Sequence, residues 1–187
     1  LGAPRAEWGR PPSLVAGGIG MRACAAPSDC AARGGDADDD AAWFSFEWSD
    51  DYARKQAYFE HVSAAHDPND LALFVSREPY HVDALLQLAA VFAHTGNTEK
   101  AHALVRRALH VFECAYAEPF KPRPPAAGRG GDDAAAASAG PDAPPAATWG
   151  RARVDVRARE NTAFFAALFR HAHLAHMQGC SLTALAC

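Results

Sequence analysis

Apolar residues recur at helical spacing through the middle of the chain, and this pattern predicts a series of consecutive helices. The two clearest helices run from about 81 to 94, closed by Gly96, and from about 98 to 117, closed before Pro119. Because only a few residues separate them, we expect these two helices to form an antiparallel pair.

Two shorter helices are predicted before this pair. Ser49 is a good N-cap for a helix that reaches about His66. Asp67 and Pro68 then supply an N-cap acid and a proline at the first helical position, and Pro79 ends that helix. Its apolar residues lie on one face at i, i+3 and i+4: Leu71, Phe74 and Val75.

Four aromatic residues precede these helices in partial alternation, which predicts an extended segment packed on the core. They are Trp43, Phe44, Phe46 and Trp48. A later helix, ended by Gly179, is predicted from a second apolar series, and residues 181–185 begin another. That series comprises Phe164, Phe165, Leu168, Phe169, Ala172 and Leu174.

Two stretches lack this periodicity. Residues 1–42 are rich in Gly, Ala, Pro and Asp, so we expect them to be mostly disordered or extended, except that Trp8 and residues 18–21 could dock on the body. Residues 121–150 have almost no large apolar side chain and read as a flexible low-complexity insert. The predicted helical-repeat core therefore has a first part, 43–120, and a second, truncated part, 151–187.

The spacing within the clearest helix pair matches a tetratricopeptide repeat, in which small residues sit where two helices cross and large residues fill the hollows. The matching positions are Leu85, Leu88, Ala89 and Phe92, then Gly96, then Ala101, Val105 and Ala108. The later helix matches only in part, at Leu168, Ala172, Gly179 and Ala184, with His171 and Ala175 where large apolar residues are usual. We therefore predict an all-α, tetratricopeptide-like helical repeat (α-solenoid); the alternative is an ordinary antiparallel helical hairpin.

Composition and charge limit the classes of function and the cellular locations that fit the chain. The chain has 187 residues, 49% of them hydrophobic, and a net charge of -4, so no overall basic field favours non-specific nucleic-acid binding. The five cysteines form no CxxC pair, which favours a reducing compartment, the cytosol or the nucleus. No apolar stretch approaches the roughly 20 residues that span a bilayer, so we expect no membrane partner. The chain starts at Leu1 and stops at Cys187 within a predicted helix, so we expect it to be a fragment.

We find no pattern typical of catalysis or of a bound cofactor. Among His171, His173 and His176, only the last two have a spacing that puts two ligands on one helical face, and no HExxH motif is present. A metal-dependent enzyme that uses these histidines is the rival hypothesis, but surface or partly buried imidazoles fit better. Residues 128–131 follow no strand, so they do not form a phosphate loop, and the acidic run 36–40 lacks the spaced ligands of a calcium loop. We therefore predict no catalytic, metal or cofactor site.

One basic stretch leaves two interpretations open. It contains Arg151, Arg153, Arg157 and Arg159, with Arg106 and Arg107 as a second small group. These arginines could meet ribosomal RNA or an acidic protein face, or they could pair with Asp155 and Glu160 at a helix start.

Several motifs, in the same order along the chain, resemble the transcription factor 25 family, which includes ribosome quality control complex subunit 1. The most specific is Pro79-Tyr80-His81-Val82-Asp83-Ala84-Leu85-Leu86-Gln87-Leu88. Others are Trp43-Phe44-Ser45-Phe46-Glu47-x-Ser49-x-x-Tyr52, Arg106-Arg107-Ala108-Leu109, Arg159-Glu160-Asn161 and Gly179-Cys180-x-x-Thr183-Ala184-Leu185. The resemblance covers residues 43–187 apart from the insert.

The resemblance implies a non-enzymatic helical-repeat scaffold that joins large ribosomal subunits carrying stalled nascent chains. It implies two partners, the E3 ubiquitin ligase Listerin and the segregase valosin-containing protein, and a role in the ubiquitination and extraction of the stalled product. The implied location is the cytosol, on ribosomes. The alternative, also implied by the family, is a nuclear regulator of transcription.

No catalytic residue carries over from the family, so the candidate site is a partner-binding one. We select Tyr80, His81 and Asp83, polar residues at the start of the signature helix. The competing interpretation is that they cap and pack this helix, because an acid in the first turn favours the helix dipole.

Overall fold

The computed structural model describes residues 8–27, 42–120, 152–181 and 184, and within them it contains five α-helices and three β-strands. The helices are α1 (Asp50–Ala64), α2 (Pro68–Arg77), α3 (Val82–His94), α4 (Thr98–Ala115) and α5 (Arg159–Met177). The strands are β1 (Ile19–Cys24), β2 (Ala42–Trp48) and β3 (Ala152–Val154). The acidic run 36–40 and the predicted insert 121–150 lie outside the described residues, as does most of the helix predicted at 181–185.

Side-chain caps fix where the first helices begin, as the sequence predicts. Ser49 Oγ accepts a hydrogen bond from Tyr52 N–H (3.0 Å) at the start of α1. Asp67 Oδ1 accepts one from Asn69 N–H (2.7 Å) at the start of α2, which carries Pro68 at its first position. Each cap satisfies a backbone N–H that has no partner within its helix, so these predicted boundaries are confirmed to within about two residues.

The described residues are mostly helical, as predicted, but the fold is not all-α, because they also form a three-stranded sheet in the order β1-β2-β3. The strand β1 pairs antiparallel with β2, from Ile19 opposite Trp48 to Cys24 opposite Trp43. The short β3 pairs parallel with the start of β2, and its Val154 lies opposite Phe44. The extended segment predicted at 43–48 is therefore confirmed, but its two partner strands come from regions without a strand pattern.

Aromatic rings join the sheet to the helices. Phe46 of β2 is buried, and its ring lies 4.7 Å from that of Phe112 on α4 and 5.2 Å from that of Phe164 on α5. Ile19 on β1 joins the same core, which confirms that residues 18–21 dock on the body. Burial of these side chains is the main favourable contribution to folding.

Asn161, in the first turn of α5, is fully buried and connects the helix to the sheet. Its Oδ1 accepts hydrogen bonds from Phe46 N–H (2.8 Å) and from Ser45 Oγ (3.3 Å). Its Nδ2 donates to the carbonyl of Asp155 (2.8 Å), just after β3. One amide thus links β2, the end of β3 and α5, and it satisfies polar groups that burial would otherwise leave unpaired.

The helices α3 and α4 pack against each other across a tight turn at Gly96, whose φ is 80°. A positive φ suits glycine, and the N–H of Asn97 closes the turn on the carbonyl of Phe92 (2.8 Å). Most of the predicted contact positions are buried, and Phe92 is half-buried; the buried ones are Leu85, Leu88, Ala89, Ala101, Val105 and Ala108. The hairpin is therefore confirmed, whereas its stacking into a solenoid and the proposed division into domains stay predictions.

No helix in the described ranges combines the length and the apolar character that crossing a bilayer requires.

Candidate partner-binding site

The three selected residues lie at the start of α3, where the chain leaves α2. The N–H of His81 bonds to the carbonyl of Glu78 (3.2 Å), which folds the connection into a turn. The imidazole of His81 then acts as the N-cap of α3, because its Nδ1 accepts a hydrogen bond from Ala84 N–H (3.3 Å). The capping alternative is thus what the structure shows for His81.

His81 is a core residue, with only 2% of its surface exposed. Its ring stacks on Tyr52 with a 5.0 Å centroid distance and a 5° interplanar angle. It also lies 5.0 Å from the ring of Phe59 and meets the ring of Phe74 edge-on at 5.1 Å. Three aromatic rings from α1 and α2 therefore enclose an imidazole that belongs to the start of α3.

Burial determines the protonation state of this histidine. Desolvation, assisted by the nearby charge of Lys55, lowers the pKa of His81 to about 4. The neutral ring carries its proton on Nε2, because Nδ1 accepts from the backbone, and Nε2 has no hydrogen-bond partner in the described structure. At neutral pH the group therefore serves as an uncharged cap and a packing ring.

Tyr52 completes the connection between α1 and α3. Its hydroxyl oxygen accepts a hydrogen bond from Val82 N–H (3.0 Å), one of the first backbone donors of α3. Burial raises the pKa of Tyr52 well above the usual range of a tyrosine. Its hydroxyl is therefore un-ionised at neutral pH and serves structure, since it satisfies a buried donor.

Tyr80 and Asp83 face different neighbours. The half-buried ring of Tyr80 lies under the guanidinium of Arg107 on α4, at 5.3 Å from the ring centroid. Burial raises the pKa of Asp83, while a hydrogen bond from Gln56 and the charges of Arg159 and Arg170 oppose that increase. The three selected residues are adjacent in sequence but do not share one surface. Whether a partner contacts any of them stays a prediction.

Arg170 is a contact residue that the sequence analysis missed. Its guanidinium on α5 donates to the backbone carbonyl of Leu86 on α3, and Asp83 lies close enough to influence its charge. Burial lowers the pKa of Arg170, and Asp83 opposes this effect. An arginine on an otherwise apolar helix face could have indicated this contact with another element.

The histidines of α5 do not converge. His171 is buried, and its Nδ1 lies 3.2 Å from Nε2 of His102 on α4, with the rings stacked at 5.1 Å. His173 and His176 are exposed. Within the described ranges, no group of three or more His, Cys, Asp or Glu side chains could hold a metal ion.

The basic stretch is only partly described, since Arg151 lies outside the described residues. Arg159 pairs with Glu60 of α1, and its guanidinium lies 5.4 Å from the ring centroid of Trp48. Arg153 and Arg157 are exposed, and the backbone N–H of Arg157 donates to Asp155 Oδ1 (3.0 Å). Arg159 therefore stabilises the fold, but through Glu60 of α1 and not through the predicted Glu160. A contact with ribosomal RNA stays a prediction.

Comparison with known proteins gives one family. A family described as "Transcriptional repressor TCF25" matches residues 44–187. The human protein "Ribosome quality control complex subunit TCF25" is 31% identical over 144 residues, which cover 77% of the chain and 18% of the relative. "Ribosome quality control complex subunit 1" of Schizosaccharomyces pombe is 30% identical over 110 residues, covering 59% of the chain and 15% of the relative.

A relative from Ampulloclitocybe clavipes, "Probable transcription factor claV", is 26% identical over 149 residues, or 80% of the chain and 16% of the relative. The chain thus spans less than a fifth of the length of these curated relatives. No solved structure matches the chain.

Proposed function

The chain belongs to the Tcf25 family, and on that premise we propose that it is part of a non-enzymatic scaffold subunit of ribosome-associated quality control. The names of the human and fission yeast relatives support a role in that process. We extend the proposal to binding of large ribosomal subunits that carry stalled nascent chains, together with Listerin and valosin-containing protein. The scaffold would assist ubiquitination of the stalled chain and its extraction.

The match over residues 44–187 is the observation that carries this proposal, because it includes both the hairpin and the helix that follows β3. The chemistry of the candidate site agrees with a scaffold. The imidazole of His81 and the hydroxyl of Tyr52 are both engaged in packing and in backbone hydrogen bonds. Neither group is presented at the surface for acid–base work.

A repeat architecture would suit such a scaffold, and the two described glycine turns support it. Gly96 and Gly179 have φ values of 80° and 77°. Each is followed by the same six-to-one backbone bond: Asn97 N–H to Phe92 C=O (2.8 Å), and Cys180 N–H to Ala175 C=O (2.9 Å). We therefore propose that α5 opens a second hairpin, as α3 opens the first. A longer chain whose next helix runs away from α5 would refute this.

The proposed function is tested by affinity purification of the full-length protein from cells in which translation is stalled. We expect large-subunit ribosomal proteins and Listerin to co-purify, and to decrease when stalling is relieved. Recovery of the protein without either would refute the proposal.

The second candidate function is nuclear regulation of transcription. It is favoured by the description of the family as a transcriptional repressor and by the name of the Ampulloclitocybe clavipes relative. Chromatin fractionation of the same cells separates the two candidates, because a chromatin-bound protein without ribosomal partners would support this one.

A further inference from the structure

An open groove with a volume of ≈ 370 Å³ lies on the surface between α1 and α2. This volume falls within the range of ligand-binding pockets in proteins, about 300 to 1,000 Å³. The groove is lined along its middle by Tyr58 and Val62 from α1 and by Leu73 and Phe74 from α2. Tyr80, His81 and Asp83 do not line this groove.

The middle of this groove is apolar and open to solvent. Tyr58 and Leu73 are 58% and 50% exposed, although both are large hydrophobic residues. The ring of Tyr58 lies 5.8 Å from that of Phe74, which is buried in the main core. The exposed apolar surface is therefore continuous with packed residues of the main core.

The cationic residues that line the groove lie towards one of its two ends. Because α1 and α2 are joined by only a few residues, the start of α1 lies beside the end of α2. Arg54, Lys55 and Arg77 therefore lie at one end, together with Glu78. Asp70 lies near the connection at the other end. The groove thus has a mainly cationic end with one carboxylate, an apolar middle and one acidic residue at the other end.

The cationic end is only partly neutralised. Asp51 pairs with Arg54 (3.2 Å) and with Lys55 (2.7 Å), and Lys55 also pairs with Glu78 (3.1 Å). Two carboxylates therefore face the three cations of this end. Arg77 is exposed and makes no ion pair with another described residue. A carboxylate brought to this end would find donors of the fork geometry that suits it.

The length of the groove sets the length of its occupant. Arg54 and Val62 are separated by eight residues of α1, which is about 12 Å along the helix axis. A partner helix covers that distance in about two turns, with apolar side chains one turn apart on the face it presents.

We propose that this groove docks a short helical segment of a partner protein with two apolar side chains about one turn apart and a carboxylate at one end. The apolar side chains lie against Tyr58, Leu73 and Phe74, and the carboxylate lies between Arg54 and Arg77. This inference goes beyond the proposed function, because a docking groove would serve either candidate role.

The test uses the purified chain and a display library of random 12-residue peptides. Enriched peptides are then synthesised with a fluorescent label and titrated, by anisotropy, against the wild type and three variants. Leu73→Glu places a charge in the apolar middle, and Arg77→Glu reverses the cationic end. Phe169→Ser is the matched control, because Phe169 is 74% exposed on α5, outside the groove. Circular dichroism checks that all three variants keep the fold.

We expect the enriched peptides to carry apolar residues three or four positions apart and an Asp or Glu at one end. Their affinity should fall at least about tenfold with Leu73→Glu and with Arg77→Glu, and should be unchanged with Phe169→Ser. Replacing the peptide acid by Lys should restore binding to Arg77→Glu. No enrichment, enrichment of peptides with Lys or Arg in place of the acid, or equal binding to wild type and Leu73→Glu would overturn the proposal. Since no ribosome is present, this result is independent of the test of the proposed function.

Discussion

Replacement of Asn161 by alanine should remove about 3 to 4 kcal/mol from the free energy of unfolding. The substitution leaves Phe46 N–H buried without an acceptor, at a cost of about 1 to 3 kcal/mol. The carbonyl of Asp155 loses its donor, and the missing amide leaves a cavity at a fully buried position. Ser45 adds little to the loss of stability, because its hydroxyl can still donate to the carbonyl of Phe46 (3.1 Å).

Urea unfolding followed by circular dichroism measures this loss as a lower midpoint at unchanged slope. The control is Asn97→Ala, which removes the same side chain from an N-cap where Asn97 Oδ1 accepts one exposed bond, from Lys100 N–H (3.2 Å). That variant should lose only about 1 kcal/mol. If Asn161→Ala were no more destabilising than Asn97→Ala, Asn161 would not be the link between sheet and helix that we describe.

A conservative variant of the same residue separates hydrogen bonding from volume. Asn161→Asp keeps the acceptor for Phe46 N–H but loses the donor to the carbonyl of Asp155 and buries a negative charge. We therefore expect its stability relative to the wild type to improve as the pH falls and the new carboxyl becomes protonated, since a protonated carboxyl can donate again. If the stability of Asn161→Asp relative to the wild type did not change with pH, this explanation would be contradicted.

Three further predictions follow from the core and from the start of α3. The folded-state pKa of His81, about 4, lies below its usual value of 6.5, so the unfolded chain takes up a proton first as the pH falls. The free energy of unfolding should drop by about 3 kcal/mol between pH 6.5 and 4. Urea unfolding across that range measures this drop, which should be smaller in His81→Asn than in the wild type. Tyr52→Phe should cost about 1 to 3 kcal/mol in thermal unfolding, because Val82 N–H loses its acceptor; an unchanged midpoint would show that this bond contributes nothing. Leu85→Ala, at a fully buried position, should lower the free energy of unfolding by about 2 to 5 kcal/mol. Leu73→Ala, at a half-exposed position, should change it by no more than about 0.5 kcal/mol. Equal losses in the two variants would contradict the burial of α3.

The helices could be predicted from the sequence because their signals are local. Ser49, Asp67 with Pro68, and Gly96 each determine a helix boundary through hydrogen bonds or dihedral angles within a few residues. The spacing of apolar residues then identifies the buried faces of α2, α3 and α4. It does so only in part for α5, where Phe169 of the predicted apolar series is 74% exposed. These parts of the fold require no knowledge of distant contacts.

The sheet could not be predicted because its signals are not local. β1 contains Gly20 and the exposed Arg22, so it lacks the apolar alternation of a strand. β3 has only three residues, and Asn161 of α5 bonds to the carbonyl of Asp155 just after it. Pairing with β2 is what makes these two segments extended, and pairing cannot be read from their own residues.

The candidate site was only partly predictable for a similar reason. The sequence makes His81 a candidate because it is a polar residue at the start of the signature helix. Its burial depends on Tyr52, Phe59 and Phe74, which belong to two other helices. The groove between α1 and α2 could not be predicted, because Tyr58 and Leu73 are ordinary apolar residues in the sequence. Only the packing of the helices shows that both are exposed to solvent.

The parallel pairing of β2 with β3 has a consequence for how the chain folds as it is synthesised. β2 is complete once residue 48 has emerged, but its partner on one side arrives only with residues 152–154. Until then one edge of β2 has unpaired backbone groups, and Phe46 N–H has no acceptor because Asn161 has not been made. The helices α1 to α4 contain mostly local contacts and can form early, whereas closure of the sheet is a late step of high contact order. A nascent chain paused between these segments would therefore expose an incomplete sheet to the chaperones around it.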